Sequence, residues 1–344
     1  MNIAILAVRD TGGTAYTLAH AINNVYPEHH AISIRGVPNF INYPTFVETT
    51  DHSRSTLRDM AYKADVIVFL GAMAPLFDFM HLQKSKLRDK KKVLLCMGSE
   101  WRYGRNELRK QADDLLKDYK IVLGGADMFL PLTIEHPETH KITDFPETDD
   151  KEVEYLPVVR SMDEIERVYS LCNQDTAALQ TFSVPHNKVM FTHAPTSEVN
   201  KGSPTFYRAV TRAQQAVRNL VFKTVKMQTW ATTLSILSNT DVLLDQAPPF
   251  PTAYGALSVE AGIFKVPSFS RMAPEAQQWI KRKTGLDTPY ISFGDEEDLF
   301  EKVTRMASDM KLRKMFGKMN YDYCKALHDE RPVVDRFLKI VEAM

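Results

Sequence analysis

Residues 193–202 (HAPTSEVNKG) place a cation and a glycine between an apolar run and a stretch with helical spacing of apolar residues. Lys201 supplies a mobile positive charge, and the adjacent Gly202 lets a ligand approach the backbone closely. The helix that follows presents unpaired N–H groups and the positive end of its dipole, which favour a phosphate. The segment therefore indicates an anion site. The alternative is a surface lysine beside a glycine that begins a helix.

Residues 241–262 (DVLLDQAPPFPTAYGALSVEAG) combine a strand, a proline-rich loop, a glycine at a helix start and an acid about one turn inside that helix. Gly255 and the amides that follow could cradle a diphosphate. Glu260 has two acceptor oxygens and could hold a ribose diol, as acids do in dinucleotide sites. The alternative for Glu260 is an ordinary solvated helix carboxylate. The order of the parts favours the functional interpretation.

A third segment, residues 98–105 (GSEWRYGR), follows another apolar run. Glu100 could act as a base or bind a substrate hydroxyl, and Arg102 and Arg105 could pair with phosphate or carboxylate. The alternative is a helix cap with packed aromatic side chains. His136, in a later loop, is a further acid/base candidate, although a single loop histidine is more often only solvated.

The run KSKLRDKKK, residues 84–92, holds six basic residues and one acid. Such a run is usually a solvated helix end. Together with Arg102, Arg105, Arg109 and Lys110 it could instead form a basic face for a polyanion such as modified DNA.

The elements that must position these residues alternate along the first 130 residues. Unbroken apolar runs separated by helices predict a parallel sheet covered on both faces, which is a doubly wound α/β domain. The predicted strands are Ile3–Val8, Ala31–Val37, Asp65–Leu70, Val93–Met97 and Ile121–Leu123, with helices over 14–24 and 57–62.

A second α/β domain is predicted after a polar stretch at 135–154. Its strands are expected over 188–192, 221–227, 241–245 and 266–269, and its first helix over 204–219. Residues 296–343 are helical in pattern, with a break near Arg331-Pro332. The predicted domains are residues 1–160 and 186–330.

Composition supports two domains and excludes several classes of protein. A length of 344 residues exceeds one ordinary core. The 43 Lys and Arg residues balance the 43 Asp and Glu residues, so the whole chain has no strong field for nucleic acid or membranes. The three cysteines form no CxxC pair or metal-ligand spacing. The N-terminal run lacks the features of a signal peptide, and no stretch approaches a membrane span, so we expect a cytoplasmic protein. No pair of acids of the DxD type lies at a suitable strand end, so we expect no metal or cofactor.

Two strings carry a resemblance to a known family. HAPTSEVNKGSPTFYRAV and DVLLDQ…YGALSVEAGIFKVPSFS resemble the donor-binding domain of GT-B glycosyltransferases of the family 4 group, and the C-terminal helices are similar. The likeness covers residues 188–344 well and 1–160 mainly by fold and by an early Gly-Gly loop. It implies two Rossmann-like domains facing a central cleft, with the helix at about 331–344 packing back on the N-terminal domain.

The resemblance implies a role for each matching residue. Lys201 would neutralise the diphosphate of a nucleotide-sugar donor, the amides at Gly255, Ala256 and Leu257 would bind phosphate, and Glu260 would bond the ribose. The other donor-side residues would be His193, Gly202 and Tyr254, and the acceptor-side residues would be Asp10, Gly12, Gly13, Arg102 and Arg105. Many relatives carry a second Glu eight positions before the ribose acid, where this chain has Thr252. An acid that helps to hold the donor sugar is therefore missing.

The implied reaction is transfer of a hexosyl or related group from a nucleoside-diphosphate sugar to a hydroxyl, with retention favoured and no metal required. Glu100, His136 and Lys201 are the catalytic candidates. The resemblance does not identify the acceptor, which is a saccharide, a lipid-linked glycan or a hydroxylated base in DNA.

Three other functions compete with this interpretation. A nicotinamide dehydrogenase is disfavoured because residues 11–14 (TGGT) do not fit GxGxxG. A nucleotide-sugar epimerase shares the two-domain fold. A non-catalytic nucleotide-sugar or glycan-binding protein is favoured by Thr252.

Overall fold

The structure, a computed structural model, forms two compact units. Unit 1 comprises Met1–Val159 and Glu330–Met344, and unit 2 comprises Arg160–Asp329. The residues that it describes are 1–8, 10, 12–37, 46–48, 52–71, 77, 80–96, 114–116, 118–124, 153–172, 185, 187–247 and 254–344.

Unit 1 is built on a parallel sheet of seven described strands. These are β1 (Asn2–Ala7), β2 (His30–Arg35), β3 (Val47–Glu48), β4 (Val66–Leu70), β5 (Lys91–Cys96), β6 (Lys120–Gly124) and β7 (Val153–Leu156). Their order is β3-β2-β1-β4-β5-β6-β7. The direction of winding changes between β1 and β4, and β4 is buried along its whole length, as expected for a strand covered on both faces. The two strands that the sequence analysis omitted, β3 and β7, are short edge strands.

Three described α-helices belong to unit 1, together with a short 3-10 helix at Lys84–Leu87. The α-helices are α1 (Thr14–Val25), α2 (Arg54–Lys63) and α10 (Glu330–Glu342). Helix α10 packs against α1, and its Val334 and Phe337 are buried in the same core as Ile3 and Ile22. The hydroxyl of Tyr26 donates to Oδ1 of Asp335 at 2.7 Å. The C-terminal helix therefore completes the apolar face of the sheet of unit 1.

Unit 2 is built on four parallel strands. They are β8 (Val189–His193), β9 (Leu220–Thr224), β10 (Val242–Gln246) and β11 (Ser268–Ser270), in the order β11-β10-β8-β9. The chain therefore reverses its winding between β8 and β10. In open parallel sheets, the carboxyl ends of the strands at such a point form the usual ligand crevice.

Seven described helices surround this sheet. They are α3 (Met162–Cys172), α4 (Ser203–Ala216), α5 (Trp230–Leu237), α6 (Ala256–Ile263), α7 (Pro274–Thr284), α8 (Glu296–Ser308) and α9 (Met310–Leu327). Unit 2 begins at Arg160, whereas the sequence prediction began the second domain at 186, because α3 packs against α5 and α6. No helix in the described part of the chain is long and apolar enough to span a bilayer.

The predicted helix break near Arg331-Pro332 is confirmed to within a few residues, whereas a second break was not predicted. The C-terminal region forms three helices, and its breaks lie at Asp309 and at residues 328–329. Asp309 begins α9 by accepting the N–H of Leu312 at 3.0 Å. Pro332 lies in the first turn of α10, where a missing N–H removes no intrahelical hydrogen bond.

Candidate functional site

Lys201 and Asp245 meet at the switch point of the sheet of unit 2. Lys201 lies in the loop after β8 and Asp245 near the end of β10, and Nζ of the lysine is 3.2 Å from Oδ1 of the aspartate. The side chain of Lys201 is 19% exposed and that of Asp245 is 1% exposed. The interpretation of Lys201 as a plain surface lysine is therefore wrong. Its ammonium is held at the sheet edge but stays accessible to a ligand.

The loop that carries Lys201 is fixed by its own backbone. The N–H of Lys201 donates to the carbonyl of Ser197 at 3.0 Å, and its carbonyl accepts from Ala247 at 3.2 Å. Gly202 has φ 62° and ψ 34° and begins α4. This left-handed conformation is costly for a side chain with a Cβ and favours glycine. The predicted Lys-Gly pair is thus a defined loop at the start of a helix.

His193 connects three elements from inside the protein. The imidazole is fully buried, with Nδ1 2.6 Å from the carbonyl of Leu244 and Nε2 2.7 Å from Oγ of Ser203. A carbonyl only accepts, so Nδ1 carries the proton and Nε2 of the neutral ring accepts from the serine hydroxyl. Burial lowers the pKa of His193 to about 4. His193 therefore joins β8, β10 and α4 as a neutral side chain, and a donor contact from it stays a prediction.

Asp245 also holds the start of α6. Its Oδ2 accepts from the N–H of Gly255 at 2.9 Å and from the hydroxyl of Ser258 at 2.7 Å. Sequence reasoning missed both Asp245 and Ser258 as site residues. The signal was available in part, because Asp245 is an acid that directly follows the apolar residues of β10. One buried carboxylate thus links the cation of the loop to the first turn of the helix.

Gly255 lies too close to this cluster to carry a side chain. A Cβ at this position would be 2.7 Å from Nε2 of Gln246 and 2.9 Å from both Oδ2 of Asp245 and Nζ of Lys201. Ala256 and Leu257 are the first residues of α6, so their N–H groups have no partner within the helix. The ammonium of Lys201 therefore lies beside the start of a helix whose first amides have no partner within the helix, and an anion requires donors of these two kinds.

Tyr254 belongs to an aromatic cluster. Its ring is buried and lies tilted against that of Tyr290, with the ring centroids 4.3 Å apart. Its hydroxyl lies 3.0 Å from the hydroxyl of Tyr323 and 3.0 Å from Nε2 of His328. The side chain is committed to the interior, so the predicted donor contact of Tyr254 would have to come from its backbone.

Glu260 is buried rather than solvated, so the interpretation as an ordinary surface carboxylate is wrong. Its side chain is 2% exposed, and Oε1 lies 2.8 Å from Nε of Arg160. The same oxygen accepts from Nε1 of Trp230 at 3.2 Å. The predicted bond from Glu260 to a ribose stays a prediction.

In unit 1, Asp10 caps a helix. Its carboxylate is buried, and Oδ2 accepts from the N–H groups of Ala15 at 3.0 Å and Tyr16 at 3.3 Å. Gly13 precedes α1 in the left-handed region, with φ 66° and ψ 13°, and Gly12 lies in the same turn. The carboxylate of Asp10 thus takes the place at this helix start that an acceptor anion could have used. An acceptor role for these three residues stays a prediction.

The predicted basic face at 84–92 is smaller than its sequence indicates. Lys92 is buried, with Nζ 3.3 Å from the carbonyl of Leu87, and burial lowers the pKa of Lys92. Nζ of Lys91 donates to the carbonyl of Val341 at 2.7 Å. The exposed cations of the run are therefore Lys84, Lys86 and Arg88.

Several predicted residues lie outside the described part of the chain. They are Glu100, Arg102, Arg105, Arg109, Lys110 and His136, together with Thr252. Among the described residues, no three His, Cys, Asp or Glu side chains come together to hold a metal ion. The absence of a metal from the reaction stays a prediction.

Comparison with solved structures identifies the class of fold. The Anabaena HepE protein in complex with UDP and glucose is 10% identical, over 100% of both chains, with a TM-score of 0.60. An α-glucosyltransferase in complex with UDP and a 13-mer DNA with a central A:G mismatch is 12% identical, over 99% of both chains, with a TM-score of 0.60. The Neisseria meningitidis UDP-GlcNAc 2-epimerase bound to UDP-GlcNAc is 10% identical, over 98% of this chain and 100% of its own, with a TM-score of 0.57.

These likenesses show that the chain has the GT-B fold, with two parallel α/β units and C-terminal helices. No protein-family model and no curated protein sequence matches the chain. At such identities the solved structures establish the fold alone, and the activity rests on the residues of the site.

Proposed function

We propose that this protein is a glycosyltransferase that moves a sugar from a nucleoside-diphosphate sugar to a hydroxyl acceptor. The observation that carries the proposal is the meeting of Lys201, Asp245 and Gly255 at the switch point of unit 2. An ammonium and free helix amides at that point suit a diphosphate. Two structural neighbours, HepE and the α-glucosyltransferase, are complexes with UDP, which supports this class of ligand.

In the proposed reaction, the bond from the anomeric carbon to the donor phosphate breaks, a bond from that carbon to the acceptor hydroxyl oxygen forms, and the hydroxyl proton passes to a base. Negative charge grows on the leaving nucleoside diphosphate. Lys201 and the amides of Ala256 and Leu257 stabilise that charge. Asp245 holds the ammonium and the helix start in place before the donor arrives, so little reorganisation accompanies the reaction. We further propose that the reaction retains the anomeric configuration and requires no metal, and that the protein belongs to the family 4 group of glycosyltransferases. All three proposals rest on the sequence resemblance.

Thermal stabilisation by a panel of UDP-, GDP- and ADP-sugars tests the donor site, because a ligand that binds only the native state raises its stability. Lys201→Ala should abolish the shift caused by the best donor. Lys188→Ala is the matched control, because Lys188 directly precedes β8, at the end of the strand opposite to Lys201, and its Nζ donates to the carbonyl of Arg218. A panel without any shift, or an unchanged shift in Lys201→Ala, would overturn the donor assignment.

Product analysis separates transfer from its rivals. The GT-B fold also occurs in the Neisseria meningitidis epimerase, so incubation of the donor without an acceptor must be examined. An epimerised nucleotide sugar would identify an epimerase, and donor binding without any turnover would identify a binding protein. Release of nucleoside diphosphate that increases with an added acceptor would support the transferase.

The acceptor is proposed only by class. Saccharides, lipid-linked glycans and DNA with hydroxylated bases all offer a hydroxyl. Two observations favour DNA with hydroxylated bases. Unit 1 exposes the cations Lys84, Lys86 and Arg88, and the α-glucosyltransferase among the structural neighbours is a complex with DNA. Transfer to hydroxylated DNA should then fall when these three residues are replaced by Ala, while transfer to a small saccharide should not.

A further inference from the structure

Unit 2 contains a buried ion pair next to the candidate diphosphate site. Arg160 and Glu260 have side chains that are 0% and 2% exposed, and Nε of the arginine lies 2.8 Å from Oε1 of the glutamate. Nε1 of Trp230 donates to the same oxygen at 3.2 Å. The three residues come from the first residue of the unit, the first residue of α5 and the interior of α6. Two donors thus fix one carboxylate oxygen.

Stability alone does not account for this pair. Removal of two charges from water costs several kcal/mol per ion, and apolar residues of similar volume often stabilise a protein as well or better. The helix that carries Glu260 reads ALSVEAGI, and this is its one ionisable residue. A charge kept in such surroundings points to a role other than packing.

The position of Glu260 on α6 supplies that role. It is the fifth residue of the helix whose first residues, Ala256 and Leu257, offer amides to the diphosphate. At a rise of about 1.5 Å per residue, its backbone lies roughly 6 Å along the helix axis from Ala256. The ribose is the next part of any nucleoside diphosphate after its phosphates.

We propose that Arg160 is a positioning residue for the ribose of the donor, an inference that rests on the proposed function. Its guanidinium pairs with the charge of Glu260 and sets the orientation in which the carboxylate accepts from ribose hydroxyls. The planar group of an arginine is always charged and rigid, so a lysine would not replace it well. Trp230 supplies the second fixed contact.

The backbone of Arg160 is itself anchored. Its N–H donates to the carbonyl of His328 at 2.7 Å, and the N–H of Met162 lies 3.3 Å from Oδ1 of Asp329. The first and last segments of unit 2 are therefore tied together at the residue that orients Glu260. A guanidinium on a fixed backbone can hold the carboxylate before the donor binds, which lowers the cost of binding.

The test compares three probes on the folded full-length chain: UDP, its 2′- and 3′-deoxyribose analogues, and inorganic pyrophosphate. In the wild type, at least one deoxy analogue should bind about tenfold more weakly than UDP, the loss expected for a hydrogen bond to a charged group. Arg160→Met should lower the affinity for UDP to about the affinity that the wild type has for that analogue, while the affinity for pyrophosphate changes less than about twofold. If GDP or ADP stabilises the protein more than UDP, it and its deoxy analogues replace UDP.

Two further variants keep the test decisive if Arg160→Met does not fold. Trp230→Phe removes only the indole N–H and should reduce the preference for UDP over its deoxy analogue by about threefold. Trp279→Phe, a buried tryptophan of α7, is the matched control and should keep that preference. Arg160→Lys should restore the preference only in part.

The outcomes are distinct. If Arg160→Met keeps the wild-type preference for UDP over its deoxy analogue, the inference is overturned but the proposed function is not. If Arg160→Met does not fold, the same preference in Trp230→Phe has the same consequence. Equal binding of UDP and both deoxy analogues to the wild type overturns it as well, because Glu260 would then not bond the ribose. Failure of UDP, GDP and ADP all to bind the wild type overturns the proposed function itself.

Discussion

Nζ of Lys201 lies 3.2 Å from Oδ1 of Asp245. Lys201 lies in the loop after β8, and Asp245 lies near the end of β10, the neighbouring strand in the sheet of unit 2. The other oxygen of that carboxylate accepts from the N–H of Gly255. A single buried aspartate therefore sets the distance between a cation and the start of α6. This arrangement defines the candidate diphosphate site before any ligand is present.

Asp245→Asn should impair both stability and donor binding. The variant keeps the shape of the side chain but loses the charge that pairs with Lys201, and a buried pair with one partner removed costs about 3 kcal/mol. Urea unfolding should show this loss of stability. Titration with UDP should show affinity lower by about tenfold, because the ammonium is no longer held at the helix start.

Asp287→Asn is the matched control for Asp245→Asn. Asp287 pairs with Lys281 at 2.9 Å, but both side chains are more than half exposed. The variant should change stability by less than about 1 kcal/mol, as is typical of surface pairs. If both variants behave alike, Asp245 does not organise the site.

Gly255→Ala should weaken ligand binding more than it weakens the fold. The new methyl group would push against Nζ of Lys201, Nε2 of Gln246 and Oδ2 of Asp245. All three atoms end side chains, so the protein can shift them at a cost of about 1–3 kcal/mol. The same shifts move the ammonium from its place, so isothermal titration with UDP should show at least about a tenfold loss of affinity.

Gly294→Ala is the control for that measurement. A Cβ at Gly294 has one neighbour within 4 Å, Oδ2 of Asp298 at 3.9 Å, so the methyl group fits without a shift. This variant should bind UDP as the wild type does. Wild-type affinity in Gly255→Ala would show that the ligand does not approach this glycine.

The doubly wound architecture could be predicted from sequence because its signals are local. Apolar runs such as Asp65–Leu70 and the Gly202 and Gly255 helix starts depend on residues a few positions apart. The short strands β3 and β7 were missed because edge strands of two to four residues carry little periodicity. The break before α10 was placed a few residues too late, at Arg331-Pro332, because a proline is tolerated in the first turn of a helix and so follows the break.

The charged contacts of the site could not be predicted in this way. Lys201 and Asp245 are 44 residues apart, and Arg160 and Glu260 are 100 residues apart. A pattern of residues a few positions apart does not predict which distant residues the fold brings into contact. One signal was overlooked, because α6 is apolar on all sides apart from Glu260 and Ser258, and a helix apolar all round is buried. A buried acid needs a partner, so a cation for Glu260 could have been expected, although not which one.

The buried His193 should make the stability of the protein depend on pH in a defined window. Burial lowers the pKa of the native imidazole from 6.5 to about 4. Above about pH 6.5 the ring is neutral in both native and unfolded chains, so it contributes no pH dependence there. Between pH 6.5 and 4 the unfolded chain binds a proton that the native chain does not, so the free energy of unfolding falls as pH falls. The slope should be about 1.4 kcal/mol per pH unit, for a total of about 3 kcal/mol.

Urea unfolding of the wild type and of His193→Gln between pH 6.5 and 5 measures this slope, since most carboxyl groups titrate below that range. The variant should be less stable at pH 6.5, because Ser203 and the carbonyl of Leu244 lose their partner. Its free energy of unfolding should fall less steeply with pH, by the slope of about 1.4 kcal/mol per pH unit that one proton contributes. His52→Gln removes an exposed histidine instead and should keep the wild-type slope. Equal slopes in the wild type and His193→Gln would mean that the imidazole is protonated in the native protein. Nε2 would then donate to Ser203, and the neutral link between β8, β10 and α4 would be wrong.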